Sequence, residues 1–180
     1  MSPILGIMAS AISGNLSSYE SIQTVTVGGG GSATVSFTSI PATYKHLQIR
    51  ASAKAVNNDQ GYFMQFNSDT GTNYNTHLLY GNGASVTALS NNTWGGMDLS
   101  PTSSSNFSAM VVDILDYTDT NKNTTIRSLS GVDNNGSGYA FFASGLWRNT
   151  AAVTSLTIRE ILGGGNITEF SSFALYGIKG

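Results

Sequence analysis

The feature that most constrains this chain is an apolar, strand-like run at its carboxyl end. Residues 173–178 read Phe-Ala-Leu-Tyr-Gly-Ile, and terminal residues fray unless another part of the protein holds them. The run therefore predicts a last strand that is paired inside a sheet. A second strand-like run, residues 22–27, lies near the amino end. We expect two strands that are distant in sequence to close a single core.

Most of the chain alternates apolar and polar residues with a period of two. In residues 46–53, Leu47, Ile49 and Ala51 share one face and polar residues occupy the other, which is typical of a half-buried strand. Further strand-like runs are residues 33–37, 62–66, 76–80, 109–117, 124–132, 138–147 and 155–160. Loops rich in Asn, Ser, Gly and Thr separate them. The pattern predicts an all-β fold, a jelly-roll-like antiparallel β-sandwich.

The amino-terminal residues differ from this pattern. Residues 1–18 mix small and apolar side chains without a sustained helical period, and Lys45 is the first basic residue. The sequence therefore does not favour a secretion signal, and no apolar stretch approaches the ~18–20 residues of a membrane helix. We expect a short extended arm, residues 1–20, followed by a β-sandwich domain, residues 21–180. The apolar residues of the arm include Ile4, Leu5, Ile7, Met8 and Ile12.

Charge is scarce in this sequence. Asp, Glu, Lys and Arg make up 10% of the residues, against about 25% in typical soluble domains. The net charge of −2 gives no electrostatic attraction for nucleic acid or for an anionic membrane, so we expect neither as a partner. A weakly charged surface permits close packing against other copies or a large assembly. Cysteine is absent, which excludes disulfides and thiolate metal sites.

The sequence offers little catalytic chemistry. Its only histidines are His46 and His77, and no G-x-S-x-G nucleophile elbow accompanies them. Most carboxylates fall in turns, where Asp bonds its own backbone. Asp113 and Glu160 lie in strand-like runs instead, and we expect both to pair with arginine. The candidate partners are Arg127, Arg148 and Arg159. These observations favour a protein that is not an enzyme.

Two loops have the oxygen-rich spacing of a calcium site. Residues 67–71 place side-chain oxygens around Asp69, and residues 116–121 carry two aspartates. Neither loop supplies the bidentate Glu of an EF-hand, and ordinary turn residues give the same composition. We therefore expect no metal and no cofactor.

Aromatic side chains near the loops indicate a possible ligand site. Carbohydrate-binding sites use exposed aromatic rings with polar groups beside them. Trp147 adjoins the strand-like residues 141–143 and is expected in the core, whereas Trp94 lies in a loop. The candidate site for a glycan consists of Trp94, Asn92, Asp69 and Tyr74.

Four stretches, taken in order, give the chain a family resemblance. They are residues 2–14, 37–50, 66–74 and 173–179, and each consists of strand and turn residues without a catalytic motif. In this combination the chain resembles a diffuse family of structural proteins of tailed bacteriophages, described as tail-fibre or minor virion proteins. The resemblance implies a location in the virion, a trimeric β-sandwich and an amino-terminal attachment arm. The arm residues that it implies contact a partner are Ile4, Leu5, Ile7, Met8 and Ile12.

Three functions follow from these observations. The first is a capsid decoration (cement) protein, which binds the major capsid protein or another virion protein as a homotrimer and stabilises the shell. The second is a tail-fibre or receptor-binding module that recognises a host-surface glycan through residues 67–75 and 81–106. The third is a free lectin-like or hydrolytic domain. A compact domain after the arm, without a shaft, coiled coil or repeat, favours the first.

Overall fold

The computed structural model of the chain describes residues 18–58, 61–91, 95–161 and 165–180. Within these ranges every regular element is a strand, and no helix is long and apolar enough to cross a membrane. The strands form two antiparallel sheets, one of eight strands and one of four, that enclose a common core. The all-β antiparallel sandwich predicted from the period-two pattern is confirmed.

Twelve strands are seen in the described ranges. They are β1 (Tyr19–Thr26), β2 (Thr34–Phe37), β3 (His46–Ala53), β4 (Tyr62–Phe66), β5 (Tyr74–Gly81), β6 (Val86–Asn91), β7 (Met97–Ser100), β8 (Ser108–Leu115), β9 (Thr124–Asp133), β10 (Gly138–Trp147), β11 (Leu156–Glu160) and β12 (Ser172–Ile178). The larger sheet has the order β1-β12-β3-β8-β9-β10-β5-β6, and the smaller sheet has the order β2-β11-β4-β7.

The strands pair in the nested manner of a jelly roll. β1 pairs with β12, β2 with β11, β3 with β8 and β4 with β7. Strands from opposite ends of the chain therefore lie side by side, and successive pairs alternate between the two sheets. Two hairpins, β5–β6 and β9–β10, are inserted into this plan and extend the larger sheet by four strands. The predicted jelly-roll arrangement is confirmed, although the alternation does not predict this extension.

The strand at the carboxyl end closes the core. Phe173 of β12 lies opposite Val25 of β1, and β12 pairs on its other side with β3. Phe173 and Leu175 are fully buried. The last strand is thus held between two others, as its apolar composition predicts.

The sandwich begins slightly before the boundary predicted at residue 21. β1 starts at Tyr19, which lies opposite Ile178, and Glu20 lies opposite Gly177. Tyr19 and Glu20 therefore belong to the sheet rather than to the arm. The predicted arm contacts, Ile4, Leu5, Ile7, Met8 and Ile12, lie outside the described residues.

The core between the sheets includes the end of the inserted strands. Trp147, the last residue of β10, is buried. Its ring meets the edge of Phe66 with 5.5 Å between the centroids and stacks on Tyr74 at 6.4 Å. The predicted core position of Trp147 is confirmed. β7 packs against β9, β10 and β5, so the extension shares this core. We call the face of the larger sheet that points away from the smaller sheet the outer face.

Candidate functional site on the larger sheet

A row of exposed apolar side chains crosses the outer face. Val111 of β8 lies opposite Leu129 of β9. Leu129 in turn lies opposite Phe142 of β10, and Phe142 lies opposite Leu79 of β5. Their exposed fractions are 39%, 64%, 41% and 49% in that order. Because neighbouring strands are about 4.8 Å apart, the row is about 15 Å long. We call these four residues the apolar row.

The apolar row occupies the positions at which each strand faces solvent. In β9 the buried positions include Ile126 and Val132. Leu129 falls in the other phase, together with the exposed Arg127 and Asp133. An antiparallel sheet with one solvated face normally carries polar residues at such positions. Apolar residues at four adjacent solvent-facing positions form a patch of the kind that another macromolecule covers.

A second row, made of small residues, runs beside the first. It consists of Ser52, Ala109, Gly131, Ala140 and Gly81 on the adjacent strands β3, β8, β9, β10 and β5. At Gly131 a Cβ atom would lie 2.9 Å from the carbonyl oxygen of Tyr139, so the close approach of β10 requires glycine there. Two depressions of about 660 and 640 Å³ lie along this row. The outer face therefore has a ridge and a trough side by side.

The charged groups beside the apolar row belong to one hydrogen-bonded network. Arg127 Nη2 donates to Asp113 Oδ2 at 2.7 Å, and Gln48 Nε2 donates to Asp113 Oδ1 at 2.7 Å. Arg50 Nε donates to Gln48 Oε1 at 2.8 Å. Burial would raise the pKa of the Asp113 carboxyl, but the hydrogen bonds from Gln48 and Arg127 outweigh it and lower the pKa. The arginine partner predicted for Asp113 is confirmed.

A cavity of different character lies at one end of the larger sheet. It forms where the β5–β6 and β9–β10 turns meet the segment before β8, and its volume is about 410 Å³. Its lining includes Asn58, Asn82, Ser105, Asn134, Ser137 and Tyr139. No charged side chain of the described residues lines it. We call it the polar end cavity.

Tyr74, one of the residues predicted to bind a glycan, is not accessible to a ligand. It is 1% exposed, because it falls on the inner phase of β5. Its hydroxyl accepts the Phe66 N–H at 3.0 Å and donates to the Asp69 carbonyl oxygen at 2.9 Å. Burial raises the pKa of Tyr74 to about 12. The predicted role of its ring is therefore wrong. Asn92 and Trp94, from the same predicted site, lie outside the described residues.

Asp69 accepts hydrogen bonds from three groups of the protein. Its carboxylate accepts the Trp147 Nε1–H at 2.8 Å, the Asn73 Nδ2–H at 3.0 Å and the Gly71 N–H at 2.9 Å. The hydrogen bond from Trp147 is the main reason that the pKa of Asp69 is lowered. With both oxygens taken by protein donors, the carboxylate ties its loop to the core. The predicted role of Asp69 in a glycan site stays a prediction.

The second oxygen-rich loop is held by lysine side chains. The Asp116 carboxylate contacts Lys45 Nζ at 2.9 Å and also pairs with Lys122. Hydrogen bonds from Lys122 and then from Lys45 lower the pKa of Asp116 to about 2. The Asp116 N–H donates to His46 Nδ1 at 3.0 Å. In the described part of the chain, no group of three or more His, Cys, Asp or Glu side chains could hold a metal ion.

Glu160 does not have the arginine partner that was predicted for it. The side chain is buried, and its Oε2 accepts the Asn57 Nδ2–H at 3.1 Å. Arg159 precedes it in β11 and therefore projects from the opposite face of the strand. There its guanidinium lies over the ring of Phe63 at 4.2 Å. The alternation of side chains along the strand thus separates the two charges.

The sequence pattern does not predict the apolar row or the polar end cavity. Each strand or turn contributes only one or two residues to them, and pairing across strands brings these residues together. Leu129 carried the one visible signal, because it interrupts the polar phase that Arg127 and Asp133 define.

No family model matches the chain, and no curated protein matches it. The likeness to phage structural proteins therefore stays a prediction.

Proposed function

We propose that the chain is a non-enzymatic structural protein of a tailed-phage virion, a capsid decoration (cement) protein that binds and stabilises the shell as a homotrimer. The observation that carries the proposal is the apolar row beside the trough of small residues. Such a surface is suited to packing against another macromolecule. Its four side chains include no group that could take part in acid–base or nucleophilic chemistry. The resemblance of four sequence stretches to phage structural proteins supports the virion context.

We assign the apolar row and the amino-terminal arm to different partners. The row crosses β8, β9, β10 and β5, whereas β1 forms one edge of the larger sheet. Ser18, directly before β1, accepts the Lys179 N–H at 3.1 Å through its carbonyl oxygen. We assign the row to contacts between copies of the chain. The residues before Tyr19 are assigned to the major capsid protein or another virion protein.

Symmetry multiplies the contribution of the apolar row. Burying a half-exposed Val, Leu or Phe side chain contributes on the order of 1 kcal/mol, and each copy brings four such side chains. A closed trimer repeats the same contact at every subunit interface. The apolar row therefore contributes at each of the three interfaces of the proposed trimer.

Sedimentation velocity of the purified chain tests the contact between copies. We expect the wild type to be a trimer and Leu129→Asp to be a monomer, because the interface would bury the new carboxylate without a partner. Val56→Asp is the matched control, since Val56 is 55% exposed and lies outside every strand. That variant is expected to stay trimeric. A monomeric wild type, or a trimeric Leu129→Asp, would contradict the assigned contact.

The position of the chain on the particle tests the cement role. In an electron cryomicroscopy map of the phage that encodes it, we expect symmetry-related copies distributed over the capsid. Particles that carry Leu129→Asp should bind fewer copies and lose their contents at a lower temperature than wild-type particles. A small number of copies confined to the tail would overturn the cement assignment.

A tail-fibre or receptor-binding module is the second candidate, and the polar end cavity favours it. Uncharged amide and hydroxyl groups around a concave site are suited to a hydroxyl-rich ligand such as a host-surface glycan. This function predicts a tail location. Mapping the copies on the particle therefore decides between the two candidates.

A further inference from the structure

We propose that the polar end cavity binds a neutral saccharide. Its volume of about 410 Å³ is within the range of about 300–1,000 Å³ that is usual for small-ligand sites. The cavity uses neither the apolar row nor Asp69 and Tyr74. The proposal deepens the second candidate function, which rests on the same cavity, and it stands or falls separately from the cement function.

Asn82 lines the cavity with its amide oxygen already engaged. Oδ1 accepts the N–H groups of Ala84 at 3.0 Å and of Ser85 at 2.8 Å, which holds the turn between β5 and β6. A carbonyl oxygen has two lone pairs, so these bonds satisfy it. Within the described residues, Asn82 Nδ2 donates to no acceptor. Its N–H groups are therefore left to donate to a ligand.

Asn134 repeats this arrangement in the turn between β9 and β10. Its Oδ1 accepts the Ser103 hydroxyl at 3.0 Å and the Asn106 Nδ2–H at 3.2 Å. Its own Nδ2 likewise donates to no acceptor in the described part of the chain. Because the hydrogen-bond network fixes which end of each amide is oxygen, Asn82 and Asn134 both present donors. Donors that are already oriented lower the entropy cost of binding a ligand.

Tyr139 supplies an aromatic surface beside these donors. It is half-buried and lines the cavity, and its ring packs edge to face against Tyr80 with 5.9 Å between the centroids. An aromatic ring offers an apolar face to the C–H groups of a sugar. The hydroxyls of Ser105 and Ser137 also line the cavity, and each can donate or accept a hydrogen bond. This combination matches a molecule that has hydroxyl groups on its rim and C–H groups on its face.

The charges around the cavity select the class of saccharide. An anionic sugar would meet no cationic side chain among the described lining residues. The lining of the adjoining depression of about 640 Å³ includes one charged residue, Asp133, which would repel an anion. Lys54 Nζ lies over the ring of Phe107 at 5.4 Å, but Lys54 lines neither the depression nor the cavity. This depression shares Asn82, Ser137 and Tyr139 with the cavity and extends to the half-exposed Phe107. It leaves space for a second ring, so the ligand is assigned as a neutral oligosaccharide.

An array of immobilised oligosaccharides tests the class of ligand with the intact chain. It carries neutral glucose-, galactose-, mannose- and N-acetylglucosamine-based oligosaccharides, with sialylated and sulfated ones alongside. We expect binding to one group of neutral oligosaccharides. Binding only to anionic oligosaccharides, or to none on the array, would overturn the proposal.

Nuclear magnetic resonance locates the bound oligosaccharide on the protein. In ¹H–¹⁵N spectra, the side-chain amide signals of Asn82 and Asn134 should shift on titration with the neutral oligosaccharide that the array identifies. The side-chain amide of Asn149, in a turn after the other end of β10, should not shift. Shifts confined to other residues would show a different site and would also overturn the proposal.

Asparagine-to-aspartate variants test the amide donors. Asn82→Asp keeps the acceptor oxygen of the β5–β6 turn, Asn134→Asp keeps the one that holds the segment before β8, and both remove the N–H donors. We expect each to weaken binding about tenfold or more, as the loss of a good hydrogen bond does. The matched control is Asn149→Asp, because Asn149 Oδ1 accepts the Ala151 N–H at 2.9 Å in the same kind of turn. If all three variants bind like the wild type, with unchanged melting temperatures, the proposal is wrong.

Discussion

The two ends of β10 carry similar residues and differ in how their hydrogen bonds are satisfied. At one end the Trp147 indole donates to Asp69, and Tyr74 also bonds within the protein. At the other end Tyr139 borders the polar end cavity, and Asn82 supplies amide N–H groups that no described residue accepts. Both ends adjoin turns rich in Asn, Ser and Gly. A cavity lined by unmatched donors, rather than composition, therefore distinguishes the candidate ligand site from the loop around Asp69.

Truncation of the aromatic residue at each end should give the largest difference. We expect Trp147→Ala to lower the free energy of unfolding by about 3–5 kcal/mol, as is usual for a buried Trp or Phe. Tyr139→Ala should cost about 1 kcal/mol, because the residue is half-buried and its loss leaves no closed cavity. Urea unfolding measures both. Equal costs would show that the Tyr139 end is packed as tightly as the Trp147 end.

The sequence predicts the fold as far as each strand shows its own alternation of apolar and polar residues. Alternation marked strands such as β3 and β8, and the apolar carboxyl end predicted the closing strand. The inserted hairpins could not be placed, because the pairing of β5 with β10 depends on contacts between residues more than sixty positions apart, such as Tyr74 and Trp147. Local composition does not specify such a register.

The candidate site was less predictable, because burial depends on strand phase. Tyr74 and Tyr139 both lie near Asn-rich loops, yet Tyr74 is buried beside Trp147 and Tyr139 borders a cavity. Likewise, the sequence shows that Asp69 carries acceptor oxygens, but it does not show whether they face solvent or accept an indole N–H. Only the folded arrangement shows which donors and acceptors are already matched.

Removing the Asp69 carboxylate, at the Trp147 end of β10, should give the second largest effect on stability. Asp69→Ala leaves Trp147 Nε1–H without its partner and releases the Gly71 and Asn73 contacts. We expect the free energy of unfolding to fall by about 2 kcal/mol. Asn82→Asp, at the polar end cavity, should change the free energy of unfolding by less than about 0.5 kcal/mol because the turn keeps its acceptor. A small effect of Asp69→Ala would mean that the loop is not held by these hydrogen bonds.

Acid should weaken the loops held by Asp69 and Asp116 before it affects the turns around the polar end cavity. The folded-state pKa values of Asp69 and Asp116 are lowered, that of Asp116 from 3.8 to about 2. The stability that they contribute is therefore complete above about pH 4 and is lost as the pH falls through the folded-state pKa. We expect the free energy of unfolding to decline between about pH 4 and pH 2. Asp116→Asn should make this decline shallower, and an unchanged slope would contradict the assignment.

The smallest effect on the folded subunit is expected at the apolar row. Leu129 is largely exposed, so Leu129→Thr should change the free energy of unfolding of the isolated subunit by no more than about 0.5 kcal/mol. Ile126→Thr, at a buried position of the same strand, should cost several times more. Association nevertheless stabilises the wild type, and its melting temperature should rise with protein concentration. The melting temperature of Leu129→Thr should not depend on concentration. If Leu129→Thr instead melts below the wild type by the same amount at every protein concentration, Leu129 stabilises the fold and not the contact between copies.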